Sequence, residues 1–127
     1  MIDKEKIIEY WRSHAKYDME TAQVMFDARR YPYCLFMCHL AIEKIPKARY
    51  VEKMNQHAPY THDVRGLAKE IGLQPSEERL TLLFEINEFN MEARYPDWQD
   101  EFYVKATETY TQKYLGLTKD LFVWLNT

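Results

Sequence analysis

Leu35-Phe36-Met37-Cys38-His39-Leu40-Ala41-Ile42-Glu43-Lys44-Ile45-Pro46-Lys47-Ala48 is the stretch on which the fold turns. Leu35, Cys38, Ile42, Ile45 and Ala48 recur at three- and four-residue steps, so on a helix they make one apolar stripe. His39, Glu43 and Lys47 follow at four-residue steps and make a polar stripe beside it. The pattern predicts a helix from about Pro32 to about Asn55 whose apolar side needs other helices to cover it. Pro46 falls inside that helix, where it deletes the amide bond back to Ile42 and crowds that turn. The cost is about 3 kcal/mol unless the helix bends there.

Working outward, Asp3 can cap a first helix of about 25 residues in which Ile7, Trp11, Ala15, Ala22 and Met25 recur with helical spacing. Arg29-Arg30 closes it with positive charge and Tyr31-Pro32 turns the chain into the next helix. Downstream, Thr61 can cap a short helix through Leu67 to Ile71, ended by Gly72. Ser76-Glu77-Glu78 opens another helix, with Leu80, Leu83, Phe84, Ile86 and Phe89 along it. That helix should end near Arg94-Tyr95, because Pro96 disfavours helix at the residue before it. Asp97 to Tyr103 reads as a loop, and a last helix runs from about Val104 to Leu125. The expectation is a single all-α domain over residues 1–127, an up-and-down bundle of four long helices plus one short helix.

Composition agrees and narrows the partners. Only three Gly and five Pro stand among 127 residues, which favours long helices. A net charge of −3 gives no field for tight duplex DNA binding, so any RNA contact must be local. No apolar run approaches the roughly 20 residues of a membrane span. The first residues carry no signal-peptide pattern, so a cytoplasmic protein is expected. Cys34 and Cys38 lie one helical turn apart, half a metal site at most, and read as buried small hydrophobes; no metal or cofactor is expected. Ten tyrosines in a small bundle suggest that some meet a second copy of the chain, since a ring with a polar tip suits a partly wet interface.

Three clusters remain: His39 to Ala48, then Thr61-His62-Asp63, then Arg94-Tyr95-Pro96-Asp97. From the residues alone, His39, Glu43 and Lys47 read as a solvated face with one ion pair. Asp63 reads as a helix-terminus acid beside a packed His62. Arg94 reads either as a cap on its own helix carbonyls or as a partner of Asp97. Together the clusters resemble the HEPN family, small helical bundles that often sit beside a minimal nucleotidyltransferase, over about Trp11 to Trp124.

The resemblance implies a cleft shared by the helix-two polar residues with Arg94 and Asp97. Arg94 and Lys47 would hold phosphate, with Glu43 beside Lys47, while His39 and His62 would line the pocket and Tyr95 would stack on a base. It also implies a homodimer with the Arg-bearing clefts near its two-fold axis. One departure is Pro46, where the family usually carries an aliphatic residue. Another bears on activity: ribonuclease members place a His after four to six residues beyond the Arg, and here positions 99–101 hold Gln99, Asp100 and Glu101. Tyr103 stands where the family's Tyr, adenylylated by the partner in some relatives, would be.

The expectation is therefore a module that binds a nucleotide or RNA-like phosphate ligand and a partner nucleotidyltransferase, with no catalytic residue assigned. A ribonuclease toxin of a toxin-antitoxin pair, using Arg94 with an unusual base such as Glu101, is the alternative. A purely structural interaction module is the third reading.

Overall fold

The computed structural model describes residues 2–61 and 63–126. Among them lie six helices and no strand: α1 Lys4–Asp27, α2 Tyr31–Met54, α3 Val64–Glu70, α4 Glu77–Arg94, α5 Pro96–Lys105 and α6 Glu108–Leu125. The four long helices of the all-α bundle are those the periodicity predicts. The loop expected over Asp97 to Tyr103 is instead helical and belongs to α5, so the last helix begins only at Glu108. Pro96 explains the difference. It ends α4 by restricting Tyr95, and its fixed φ also suits the first position of a new helix, where Asp97 adds favourable negative charge.

The helix ends follow local chemistry. Asp3, Ser76 and Thr107 each accept a hydrogen bond from a first-turn backbone N–H. The cap of α3 is Asp63, which accepts from the Gly66 N–H at 3.1 Å; Thr61 acts one step back, its hydroxyl oxygen accepting from the Asp63 N–H at 3.0 Å. After α3, Gly72 takes the left-handed φ of 84° that the expected stop requires, and the Leu73 N–H closes back onto the Ala68 carbonyl at 2.9 Å. Arg29 makes the same kind of turn after α1 at φ 61°, unusual for a side chain with a Cβ.

Helix α2 is the hub and packs against all five other helices. Its predicted stripe, Leu35, Cys38, Ile42, Ile45 and Ala48, is fully buried. The main core joins Leu35, Ile42 and Ile45 to Leu83, Ile86 and Phe89 of α4, Phe102 of α5, and Tyr114, Leu121 and Leu125 of α6. Cys34 and Cys38 pack with Ala22 and Leu115 in a second cluster. Their hydrogen bond and burial hold the Cys34 thiol above its ordinary pKa, so it packs as a neutral group. Phe84, expected on the α4 core face, points outward and is exposed. Helix α2 continues through Pro46 to Met54, with the ring itself buried.

At the α4/α6 contact the Tyr114 hydroxyl donates to the Glu85 carboxylate. Burial first, then that hydrogen bond, push the phenol well above its ordinary value. A raised folded-state pKa means that the contribution to stability is whole below the unfolded value of about 10 and is lost as pH rises past it. The stability gap between wild type and Tyr114→Phe is therefore expected to close above about pH 10 in urea titrations. A gap that stays constant with pH would show that the phenol titrates normally.

Candidate functional site

The polar stripe of α2 is not a solvated face. His39 is 1% exposed, and Glu43 and Lys47 are each 7% exposed, because α2 has neighbours on every side. His39 Nε2 stands 2.7 Å from Glu43 Oε2, and Lys47 Nζ lies 3.6 Å from Glu43 Oε1. The Lys47 ammonium also sits 5.1 Å from the centre of the Trp11 ring of α1 and 6.0 Å from that of Tyr60. One carboxylate thus lies between two buried nitrogen bases, and the lysine is further held by ring quadrupoles.

Toward the N-terminus of α2 the network meets the arginine. The Phe36 ring is 5.8 Å from that of His39, and the Arg94 guanidinium lies over the same Phe36 ring, 5.4 Å from its centre. Arg94 ends α4, and only Tyr95 separates it from α5. The three helices converge there on a cavity of about 210 Å³, lined by Tyr33 and Phe36 of α2, Ala93 and Arg94 of α4, and Gln99 and Tyr103 of α5. Its walls are mostly apolar and its one formal charge is the guanidinium. The Tyr103 hydroxyl donates to that of Tyr33 at 3.4 Å, and their rings meet edge to face. That hydrogen bond and some burial raise the Tyr103 pKa, so the phenol is neutral near pH 7. The Gln99 amide donates to the Ala93 carbonyl at 3.3 Å, tying the first turn of α5 to the last of α4.

Of the residues singled out in the sequence, Arg94 and Tyr103 meet in this cavity. His39, Glu43 and Lys47 do not line the cavity; they lie buried further along α2, and His39 meets the cavity residue Phe36 ring to ring. Tyr95 is exposed and packs edge-on against Trp98, and Asp97 is exposed in the first turn of α5; neither lines the cavity. His62 lies outside the described residues. The sequence reading missed Tyr33, Phe36 and the role of Gln99. Tyr33 and Phe36 are three residues apart on one helix face, a signal that was available but easily taken for core.

Glu101, the carboxylate considered as a substitute base, lines a different cavity of about 280 Å³ with Glu88, Glu92, Trp98 and Lys105. Lys105 neutralises part of it through an ion pair to Glu92 at 2.6 Å. Among the described residues no group of three His, Cys, Asp or Glu is placed to hold a metal ion. No helix among them is long and apolar enough to cross a membrane.

The pattern of the HEPN domain matches residues 8–126. The chain belongs to the HEPN family. Its fold is similar to the crystal structure of TT1696 from Thermus thermophilus, with a TM-score of 0.78 over 93% of this chain and 94% of that one. At 17% identity that likeness speaks for the fold alone. The chain matches no curated protein.

Proposed function

We propose that this HEPN module binds a nucleotide or an RNA-like phosphate ligand at the Arg94 cavity, and that it does so without catalysis of its own. The observation that carries the reading is the Arg94 guanidinium laid over Phe36 at an aromatic-walled cavity. A guanidinium keeps its charge at any working pH and offers several donors in one plane, which suits phosphate oxygens. Aromatic walls suit a base. The buried His39-Glu43-Lys47 network then serves to hold the α2 side of the site in place.

RNA cleavage at a 2′-hydroxyl needs a group that takes its proton. Of the cavity's two α5 residues, Gln99 has an amide that is no base and Tyr103 has a phenol held protonated by its raised pKa, while Glu101 lines the other cavity. This favours binding over the ribonuclease alternative. A minimal nucleotidyltransferase as partner, a homodimer of the chain and a cytoplasmic setting complete the proposal, and they rest on family membership. Tyr103, which lines the cavity wall, is the residue such a partner would modify.

Thermal shift with ATP, GTP, NAD and short RNA, on wild type and Arg94→Ala, tests the site. A ligand at about 100 times its Kd adds about 2.7 kcal/mol, which is expected to raise the wild-type Tm by several degrees and leave the mutant unmoved. Equal shifts in both proteins would take the ligand elsewhere. No shift, with co-purification of a nucleotidyltransferase that survives Arg94→Ala, would make the chain a structural interaction module.

A further inference from the structure

Tyr10, Tyr17 and Val24 follow each other along α1 at seven-residue steps, and each is more than half exposed. Seven residues are nearly two full turns, so these side chains form one apolar row on the outer face of the helix. Ala15, Asp18 and Ala22, on the other side, are the residues α1 buries in its own bundle. His14 widens the row by stacking on Tyr10, with ring centres 4.2 Å apart. Scattered exposed apolar residues need no explanation, but a heptad row is the pattern by which two helices pair.

The charges along α1 select the second helix. If a copy of α1 is laid antiparallel with Tyr17 facing Tyr17, Tyr10 falls opposite Val24 and His14 opposite Glu20. Glu5 then falls opposite Arg29, Lys6 one residue from Asp27, and Lys16 two from Glu20. Lys4 opposite Arg30 is the like-charge match, and it falls at the ends of the overlap. A parallel pair in register would instead set Lys6, Lys16, Glu20 and Asp27 each against its own kind. Asp27 also gains from the antiparallel choice. It stands in the last turn of α1, which has no basic residue, so it opposes its own helix dipole and is favoured near the N-terminal half of another copy.

We infer that the outer face of α1 is a self-pairing surface, on which two copies of the chain meet antiparallel with Tyr17 at the two-fold axis. The contact is isologous, so each unlike pair occurs twice. Tyrosine suits such a surface because its ring packs while its hydroxyl stays wet. No residue of α1 lines the Arg94 cavity. The contact is therefore separate from a dimer built around the clefts, and it stands whether or not the cavity binds phosphate.

Sedimentation equilibrium of the full chain tests it. Tyr17→Glu, a change at an exposed position that the fold tolerates, is expected to weaken self-association about ten-fold or more and to halve the mass. Lys6→Glu is expected to weaken it several-fold, and Lys6→Glu/Asp27→Lys to restore it. The two residues are about 30 Å apart along one helix, so only a second copy can bring them together. Tyr17→Cys is expected to give a disulfide-linked dimer under mild oxidation, whereas Tyr10→Cys gives one only when mixed with Val24→Cys. A mass that Tyr17→Glu leaves unchanged, whether of a monomer or of an oligomer, overturns the inference. Failure of the charge swap to rescue Lys6→Glu overturns the antiparallel register. A monomeric wild type whose binding to a nucleotidyltransferase is lost in Tyr17→Glu would give the face to that partner and overturn self-pairing.

Discussion

Glu43→Ala is expected to destabilise the protein by about 3–5 kcal/mol, the range for removing one member of a buried charged pair. The carboxylate lies between His39 Nε2 at 2.7 Å and Lys47 Nζ at 3.6 Å, and all three side chains are nearly out of water. Truncating it takes the counter-charge from a buried ammonium, whose aromatic neighbours, Trp11 and Tyr60, contribute far less than a carboxylate. The penalty comes from what is left behind. The double variant Glu43→Leu/Lys47→Met, which removes both charges and keeps the volume, is therefore expected to recover much of the loss. Urea unfolding at neutral pH provides the comparison. A single-variant loss below about 1 kcal/mol would mean that water reaches the stripe, as at a surface ion pair.

Phe89→Ala is expected to cost a similar amount, about 3–5 kcal/mol, and to damage the ligand site from a distance. Phe89 is fully buried, with its ring 5.8 Å from that of Phe102 and 5.5 Å from that of Tyr114. Phe102 is the one buried residue of α5, so this contact is what seats that helix on the bundle. Gln99 and Tyr103, which line the Arg94 cavity, ride on the same helix. Under conditions where the variant still folds, its ligand-induced Tm shift is expected to shrink relative to that of wild type. Near-UV circular dichroism would follow the Phe and Tyr packing directly. A fully retained ligand shift would show that α5 is held by its joint to α4 alone.

How much of this was legible in the sequence depends on what each signal measures. The α2 stripe was readable because five apolar residues at helical spacing need a covered face, and all five are buried. Asp3, Ser76 and Gly72 were readable because their local chemistry admits few other uses. Helix α5 was not, since ten residues with a single buried side chain carry almost no periodicity, and Pro96 signals an end as strongly as a beginning. The burial of His39, Glu43 and Lys47 was hidden for another reason. Spacing shows that side chains share a face, but not whether a neighbour covers it. The motif pointed to Arg94 and Tyr103, while Tyr33 and Phe36 reach them only because α2 passes the α4–α5 joint in space.

That joint is a single residue, Tyr95. The interval from Arg94 to Gln99 is therefore a ruler made of one linker residue and the first turn of a helix. Adding one residue at the joint changes which α5 side chain faces Arg94, because that short step is what places Gln99 on the cavity wall. Extending the helix beyond Tyr103 leaves the interval untouched. Chains built on this plan that lengthen the step between α4 and α5 are thus expected to bring a different α5 residue to the cavity wall.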